Sequence, residues 1–392
     1  MQPLSGITVV ALEHAVAAPF TTRQLADLGA RVIKVERPGT GDFARSYDET
    51  VRGMSSHFVW LNRSKESLTL DLKAPRAGDV MSRLVDRADV FVQNLAPGAA
   101  DRLGLSAERL RGDHPRLIVC GISGYGPDGP YCDKKAYDLL IQSEAGLLSI
   151  TGTEEAPSKA GISIADISAG MYAFTGILTE LYRREKTGAG GTVEVSMFEA
   201  LGEWMGYPLY YSGFGNPPPG RTGARHATIA PYGPFDAGDG GTVMVGLQNE
   251  REWVAFCEQV LMDPALARDP RFDSNPRRVA NREALDAAIR ATFRGMTAEE
   301  VVSRLDGAQI ANARMNSMED VRRHPQFAAR RRFREVGSPV GPIPMLLPPC
   351  DHEGFAPRMD PIPALGEHTE KILGELGYAP DDVSRLRAEG VV

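Results

Sequence analysis

Asp166 stands in an apolar setting, ISIADISAGMYAF over 162–174, with Gly161 and Gly170 on either side. Two chemistries suit it. Aspartate is a favoured N-cap, and Asp166 or Ser168 sits where a helix over 170–186 should begin, accepting a backbone N–H at the positive end of the helix dipole. The apolar residues before it would also partly bury the carboxylate, and the glycines let a bulky ligand approach the backbone. A partly desolvated carboxylate beside helix N–H donors can act as a nucleophile toward an activated acyl group. Local physics leaves both roles open.

A second set is basic. Arg37 follows the apolar run 31–36, Lys73 follows SLTLDL (67–72), Arg102 lies just beyond DVFVQN (89–94), and Lys135 precedes Tyr137 and Asp138. Open α/β sheets bind ligands past the C-terminal ends of their strands, so the first three could meet a polyphosphate there. Motifs for other chemistries are missing. The first βα turn reads LEHAVAAPF without G-x-G-x-x-G, and no Walker A, H-E-x-x-H or G-x-S-x-G sequence occurs. Dinucleotide, phosphate-loop, metalloprotease and hydrolase-elbow readings are therefore weak, and no metal site is expected. The histidines do not cluster in sequence.

The elements that must position these residues alternate. ITVVAL (7–12), a helical stretch over 19–30 and RVIKVE (31–36) form a βαβ unit. Further strands are expected at 67–72, 89–94, 116–122 and 192–197, most of them separated by helices such as 77–88. This predicts an α/β fold with a mainly parallel sheet and right-handed crossovers. Composition shifts at the Gly/Pro-rich YYSGFGNPPPGRTGARH (210–226), a linker or boundary. A smaller α/β unit follows, with a strand at 241–247, a helix presenting Trp253 and Phe256 on one face, and helices at 282–293 and 298–305. The expected organisation is a large domain over 1–210, a linker over 211–225, a small domain over 226–330, and a C-terminal segment over 331–392.

Composition bounds the function classes. A chain of 392 residues favours two domains, and 42% hydrophobic with 24% charged residues is ordinary globular usage. The net charge of -7 argues against nucleic acid as the main partner. Four cysteines without metal-type spacing, no basic segment ahead of the first apolar run and no membrane-length apolar stretch predict a cytoplasmic protein.

Taken in order, PLSGITVVAL, LADLGARVIKVERPGTGD, NRSKESLTLDLK, ADVFVQNLAPGAADRLGL, YDLLIQSEAGLLSITG, DISAGMYAFTGILTELYRREKTGAGGTVEVSMFEA and PALGEHTEKILGELGY resemble the family III CoA-transferases. This is the CaiB/BaiF group of formyl-CoA transferase, carnitine CoA-transferase and α-methylacyl-CoA racemase. The resemblance implies an acyl-CoA substrate, no permanently bound cofactor, and a Rossmann-like large domain built from both chain ends. It also implies an interlocked homodimer with an active site shared between subunits. The family's catalytic aspartate falls on Asp166. Its CoA contacts fall on Val16, Ala17, Arg37, Leu70, Lys73, Asn94, Leu95, Arg102, Lys135 and Tyr137.

The implied chemistry is transfer of CoA to a free carboxylic acid through an aspartyl anhydride and an aspartyl-CoA thioester. Racemase chemistry is the alternative within the fold, but it resembles enzymes with a His before the Asp of KAYDLL, where this chain has Tyr137 before Asp138. A non-enzymatic acyl-CoA-binding protein is a further alternative. Val16 replaces the glutamine of formyl-CoA transferase, and VGLQNEREW (245–253) lacks that enzyme's glycine-rich loop. RGMSSHFVWLNRSKES (52–67) is more similar to members acting on small dicarboxylic acids, with succinyl-CoA the expected donor. Arg45, His57, Arg63 and Asp138 are candidate substrate contacts.

Overall fold

The computed structural model describes residues 1–215 and 217–392; Asn216, inside the stretch 211–225 read as a linker, lies outside the described residues. Two compact units divide the chain. One comprises Met1–Gly146, Ala160–Gly206 and Arg330–Val392, and the other Leu147–Lys159 and Tyr207–Ala329.

A six-stranded sheet organises the first unit. Its strands are β1 (Thr8–Leu12), β2 (Arg31–Glu36), β3 (Lys65–Thr69), β4 (Val90–Gln93), β5 (Ile118–Ser123) and β6 (Thr192–Ser196). The order is β3-β2-β1-β4-β5-β6 and every pairing is parallel. The order in which successive strands are added reverses between β1 and β4, the switch point at which open α/β sheets leave a crevice. Strand residues alternate between two cores. Val9, Ala11, Val90 and Val92 pack with α1 (Ala17–Asp27) and the long helix α4 (Ile164–Thr187). Val10, Leu12, Ile33 and Phe91 pack with α2 (Ala77–Val85) and with Ile372, Leu373 and Leu386 near the chain's end. Between β5 and α4 lies α3 (Asp138–Glu144).

Strand β3 was expected at 67–72 and is found at Lys65–Thr69, starting two residues earlier and ending three earlier. Lys65, the first residue of this strand, is buried, its Nζ 2.7 Å from Glu13 Oε1. The expected start of the helix over 170–186 also moves, to Ile164, so neither Asp166 nor Ser168 is its N-cap.

Antiparallel strands β7 (Tyr232–Asp236), β8 (Thr242–Gly246) and β9 (Ala311–Arg314) form the sheet of the second unit. Trp253, Phe256, Leu285, Ile289 and Leu305 build its core. The 245–253 stretch runs from β8 into a helix at Glu250–Ala255, capped by Asn249 Oδ1 accepting from the Glu252 N–H at 3.0 Å.

A glycine lets α4 press directly on α1 in the first unit. A Cβ on Gly170 would stand 2.7 Å from the Ala17 carbonyl oxygen and 3.0 Å from Phe20 Cδ1. Thr21 Oγ1 also donates to the Gly170 carbonyl at 3.0 Å. Backbone cannot yield as a side-chain tip can, so Gly170→Ala must part the helices. The expected cost is about 1–3 kcal/mol of stability, read as a lowered urea-unfolding midpoint; an unchanged midpoint would show that the contact is not tight.

Candidate active site

The first βα turn sits on buried charge. Lys34 Nζ lies 2.8 Å from Asp42 Oδ2 and 3.3 Å from Glu13 Oε1, and Lys65 Nζ donates to the same Glu13 oxygen. All four side chains are fully buried. Burial alone would raise Glu13, but the Lys34 and Lys65 cations outweigh it and hold the carboxyl below its ordinary value. Burial pushes Lys65 down to about 8 against the attraction of Glu13. Asp42 Oδ1 then accepts from the Ala15 N–H at 3.1 Å, and Ala15 has φ 60°, a left-handed conformation that a non-glycine residue holds only under local constraint.

Across the switch point, Asn94 closes the turn against β4. Its Oδ1 accepts from the His14 N–H and its Nδ2 donates to the His14 carbonyl, both at 2.9 Å. The expected CoA contacts follow successive strands. Val16 and Ala17 are buried at the start of α1, Arg37 is exposed after β2, Leu70 is buried after β3 with Lys73 exposed beyond it, and Asn94 and Leu95 are half-buried after β4. Arg102 is exposed at the end of a short helix, and Lys135 and Tyr137 are exposed just ahead of α3.

Asp166 lies in the first turn of α4, as its third residue. The oxygen that caps this helix comes from elsewhere: Asp138 Oδ1 accepts from the N–H groups of Ala165 at 2.8 Å and Asp166 at 3.4 Å. This corrects the sequence expectation of a cap at Asp166 or Ser168, since Ser163 at the N-cap position makes no side-chain cap bond and Ser168 Oγ donates instead to the Ala165 carbonyl. Asp166 keeps part of its surface open, yet burial, and then the Asp138 charge, raise its carboxyl to about 7. A carboxylate at that value is basic and still ionises near neutrality.

An aromatic string runs along the 37–64 segment. His14 stacks on Phe43 at 5.3 Å, Phe43 tilts against Tyr47, and Tyr47 meets His57 edge-on at 5.3 Å. Burial, with the Asp42 and Asp166 charges behind it, pushes the Tyr47 phenol up to about 12, so it stays a hydrogen-bond donor. His57 keeps 41% of its side chain exposed, with Nδ1 3.8 Å from Asp48 Oδ2.

Two candidate substrate contacts are committed within the protein. Arg63 is buried and forks onto Asp27 at 2.8 and 2.7 Å. Arg45 forks onto Glu36 at 2.8 Å for both bonds, its guanidinium 3.7 Å from the Phe58 ring centroid. The remaining Nη1 groups donate to the Leu346 and Pro363 carbonyls, so these pairs build the fold and keep both guanidinium groups engaged within the protein. Sequence reasoning passed over Tyr47, Gln142 and the Glu13–Lys34–Asp42–Lys65 cluster. The one signal for the cluster was Lys34 itself, a charge within RVIKVE, a strand whose neighbours are apolar because both sheet faces are covered.

Among the described residues no group of histidine, cysteine, aspartate or glutamate side chains is arranged to hold a metal, and no helix is long and apolar enough to cross a membrane. Comparison with known proteins shows the family. The sequence model of CoA-transferase family III matches residues 4–369. A succinyl-CoA:glutarate CoA-transferase of Mus musculus is 33% identical over 401 residues, covering 100% of this chain and 91% of its own. An acetyl-CoA:oxalate CoA-transferase of Acetobacter aceti is 36% identical over 364 residues, covering 91% and 93%. The crystal structure of a CAIB/BAIF family protein from Brucella suis superposes with a TM-score of 0.85 at 32% identity, over 96% of this chain and 99% of that one. A carboxylate at the head of the helix behind the switch point thus belongs to a chain that matches its relatives almost end to end, and the protein is a member of CoA-transferase family III.

Proposed function

We propose that this enzyme moves CoA from succinyl-CoA, or another small dicarboxylyl-CoA, to a free carboxylic acid, with Asp166 as the covalent carrier. One observation carries the reading: the Asp166 carboxyl, raised to about 7, stands in the first turn of α4. An Asp166 oxygen attacks the thioester carbonyl, the C–S bond breaks, and CoA leaves as thiolate from a mixed anhydride. The thiolate attacks the Asp166 carbonyl carbon, the bond to the bridging oxygen breaks, and the donor acid departs from an aspartyl-CoA thioester. The acceptor carboxylate then attacks that thioester, and the same steps run in reverse. Thioester and anhydride are both activated acyl forms, so the exchange needs no ATP.

Arg37, Lys73, Arg102 and Lys135 are the cations that meet the CoA phosphates, and the backbone N–H groups near Asp166 stabilise the oxyanions. The dicarboxylate reading draws support from the mouse relative, named for succinyl-CoA and glutarate, and from the Acetobacter one, named for oxalate. With Arg45 and Arg63 engaged internally, His57 is the remaining candidate partner for a distal carboxylate. The working form is an interlocked cytoplasmic homodimer, in which the exposed aromatic run Tyr207, Tyr210, Tyr211 and Phe214 becomes subunit contact. The large domain comprises both chain ends, 1–210 and 331–392, around a small domain over 226–330. The racemase alternative would need an imidazole where Tyr137 offers a phenol.

A panel of acyl-CoA donors and free acids, scored by mass spectrometry, should give exchange with succinyl-CoA; none with that donor would refute the substrate class. In the same assay Asp166→Ala should abolish exchange while CoA still binds by calorimetry, and substantial residual transfer would refute the carrier. The pH profile has a definite sign. Only ionised Asp166 attacks, so kcat/KM should fall about tenfold per pH unit below the free enzyme's value near 7. A rate flat down to pH 5 would exclude a carrier with so raised a value.

A further inference from the structure

Helix α4 has no side-chain cap from its own chain neighbourhood, where only the Ile164 N–H finds a local acceptor, the Ile162 carbonyl, and the side-chain bonds at its head lead to two residues of α3. Asp138 Oδ1 takes the Ala165 and Asp166 N–H groups. Its Oδ2 accepts from Gln142 Nε2 at 2.6 Å. Gln142, fully buried, uses Oε1 to accept from the Ala160 N–H at 2.9 Å and donates a second time, to the Ile162 carbonyl at 3.4 Å. The backbone on both sides of the helix start is therefore tied to one Asp–Gln pair a turn apart. A capping oxygen could have come from Ser163, as Ser and Thr side chains supply it in many helices. Here it comes instead from an acid that places a full negative charge beside the carboxyl it positions.

We propose that Asp138 is the positioning residue of the nucleophile: its Oδ1 holds the Asp166 backbone through the first turn of α4, and its charge faces the Asp166 carboxyl. The proposal rests on Asp166 being the covalent carrier. Holding fixes the angle at which Asp166 meets the thioester, and an ångström of misplacement costs an enzyme roughly a hundredfold. The charge makes Asp166 more basic, and nucleophilicity rises with basicity once the group is ionised. Tyr47 on the 37–64 segment senses Asp166 together with Asp42 and the Tyr137 phenol. At Asp166 itself the anion acting beside burial is Asp138.

Asp138→Asn separates the two effects, since its amide oxygen can still accept from α4 while the charge is gone. The acid limb of kcat should move down by about one pH unit, the plateau kcat should fall roughly threefold, and KM for acyl-CoA should stay within about twofold. Asp138→Ala removes the acceptor as well, and kcat should fall roughly a hundredfold. An unmoved limb in Asp138→Asn, or a kcat within about twofold of wild type in Asp138→Ala, overturns the proposal. If Asp138→Asn melts far below wild type, D138N/Q142E carries the test. It restores a donor–acceptor pair between residues 138 and 142 and moves the charge further from Asp166. A limb below the wild-type position supports the proposal and a limb at that position overturns it. Asp166→Ala, assayed alongside, separates the failures. If that variant still transfers CoA, the carrier reading fails; if it is inactive while the limb of Asp138→Asn is unmoved, only the role of Asp138 fails.

Discussion

Lys34 is the constraint on which the first unit depends. A lysine inside a parallel strand has no route to water, so its charge must be matched in place, and Glu13 and Asp42 match it. Burial would lower Lys34, but those carboxylates, with Glu36 behind them, raise it above its ordinary value. Removing one member of such a cluster strands a buried charge, at a cost of about 3–5 kcal/mol. Each member also holds something else. Glu13 accepts from Thr22 on α1, Asp42 accepts from the Ala15 and Ala44 N–H groups, and Lys65 donates to the Pro19 carbonyl inside α1. The turn shape and the seating of α1 therefore follow from where two cations and two carboxylates can neutralise one another.

From α1 the constraint passes to Asp166. Gly170 lets α4 lie directly on the Ala17 carbonyl, so the helix carrying Asp166 is registered against the helix that the charge cluster seats. One physical device recurs along this path: an aspartate on one element satisfies backbone N–H groups on another. Asp42 does so for Ala15, Asp138 for the head of α4, and Asp48, through the Ser56 N–H, for the helix Ser56–Leu61. A side chain can adjust by fractions of an ångström where backbone cannot, so such caps set the position of one element relative to another. They also put negative charge next to the very groups they position.

Elements whose fate is decided by local pattern were legible in the sequence. Strand β2 and the helix Arg282–Phe293 have the expected bounds, because apolar period and turn signals suffice there. The parallel α/β architecture followed from alternation of short apolar runs with helices. Partners distant in sequence were not legible. Arg63 looked available until Asp27, at the end of α1, engaged it, and Arg45 until Glu36 did. The cap of α4 was sought at Asp166 because nothing in the sequence says that Asp138, lying 28 residues earlier, reaches the helix head. Family resemblance singled out Asp166 but says nothing of which groups surround it.

Those surroundings bear on the direction of the proposed chemistry. In a mixed anhydride the thiolate can attack either carbonyl. At the donor carbonyl it must expel the Asp166 carboxylate and return to the starting thioester; at the Asp166 carbonyl it expels the donor acid and moves forward. Small carboxylic acids ionise near about 4 in water, whereas burial and the Asp138 charge set Asp166 at about 7. The weaker base is the better leaving group, so the donor carboxylate departs more readily than Asp166, and the forward partition is favoured. Because the acceptor acid forms its own anhydride with Asp166 by the reverse of these steps, the same bias works against release of the new acyl-CoA. A carrier made too basic would trap CoA as the aspartyl thioester, and one made too acidic would return it to the donor. The useful range is therefore narrow, and an environment of burial plus one neighbouring anion is a means of holding a carboxyl within it.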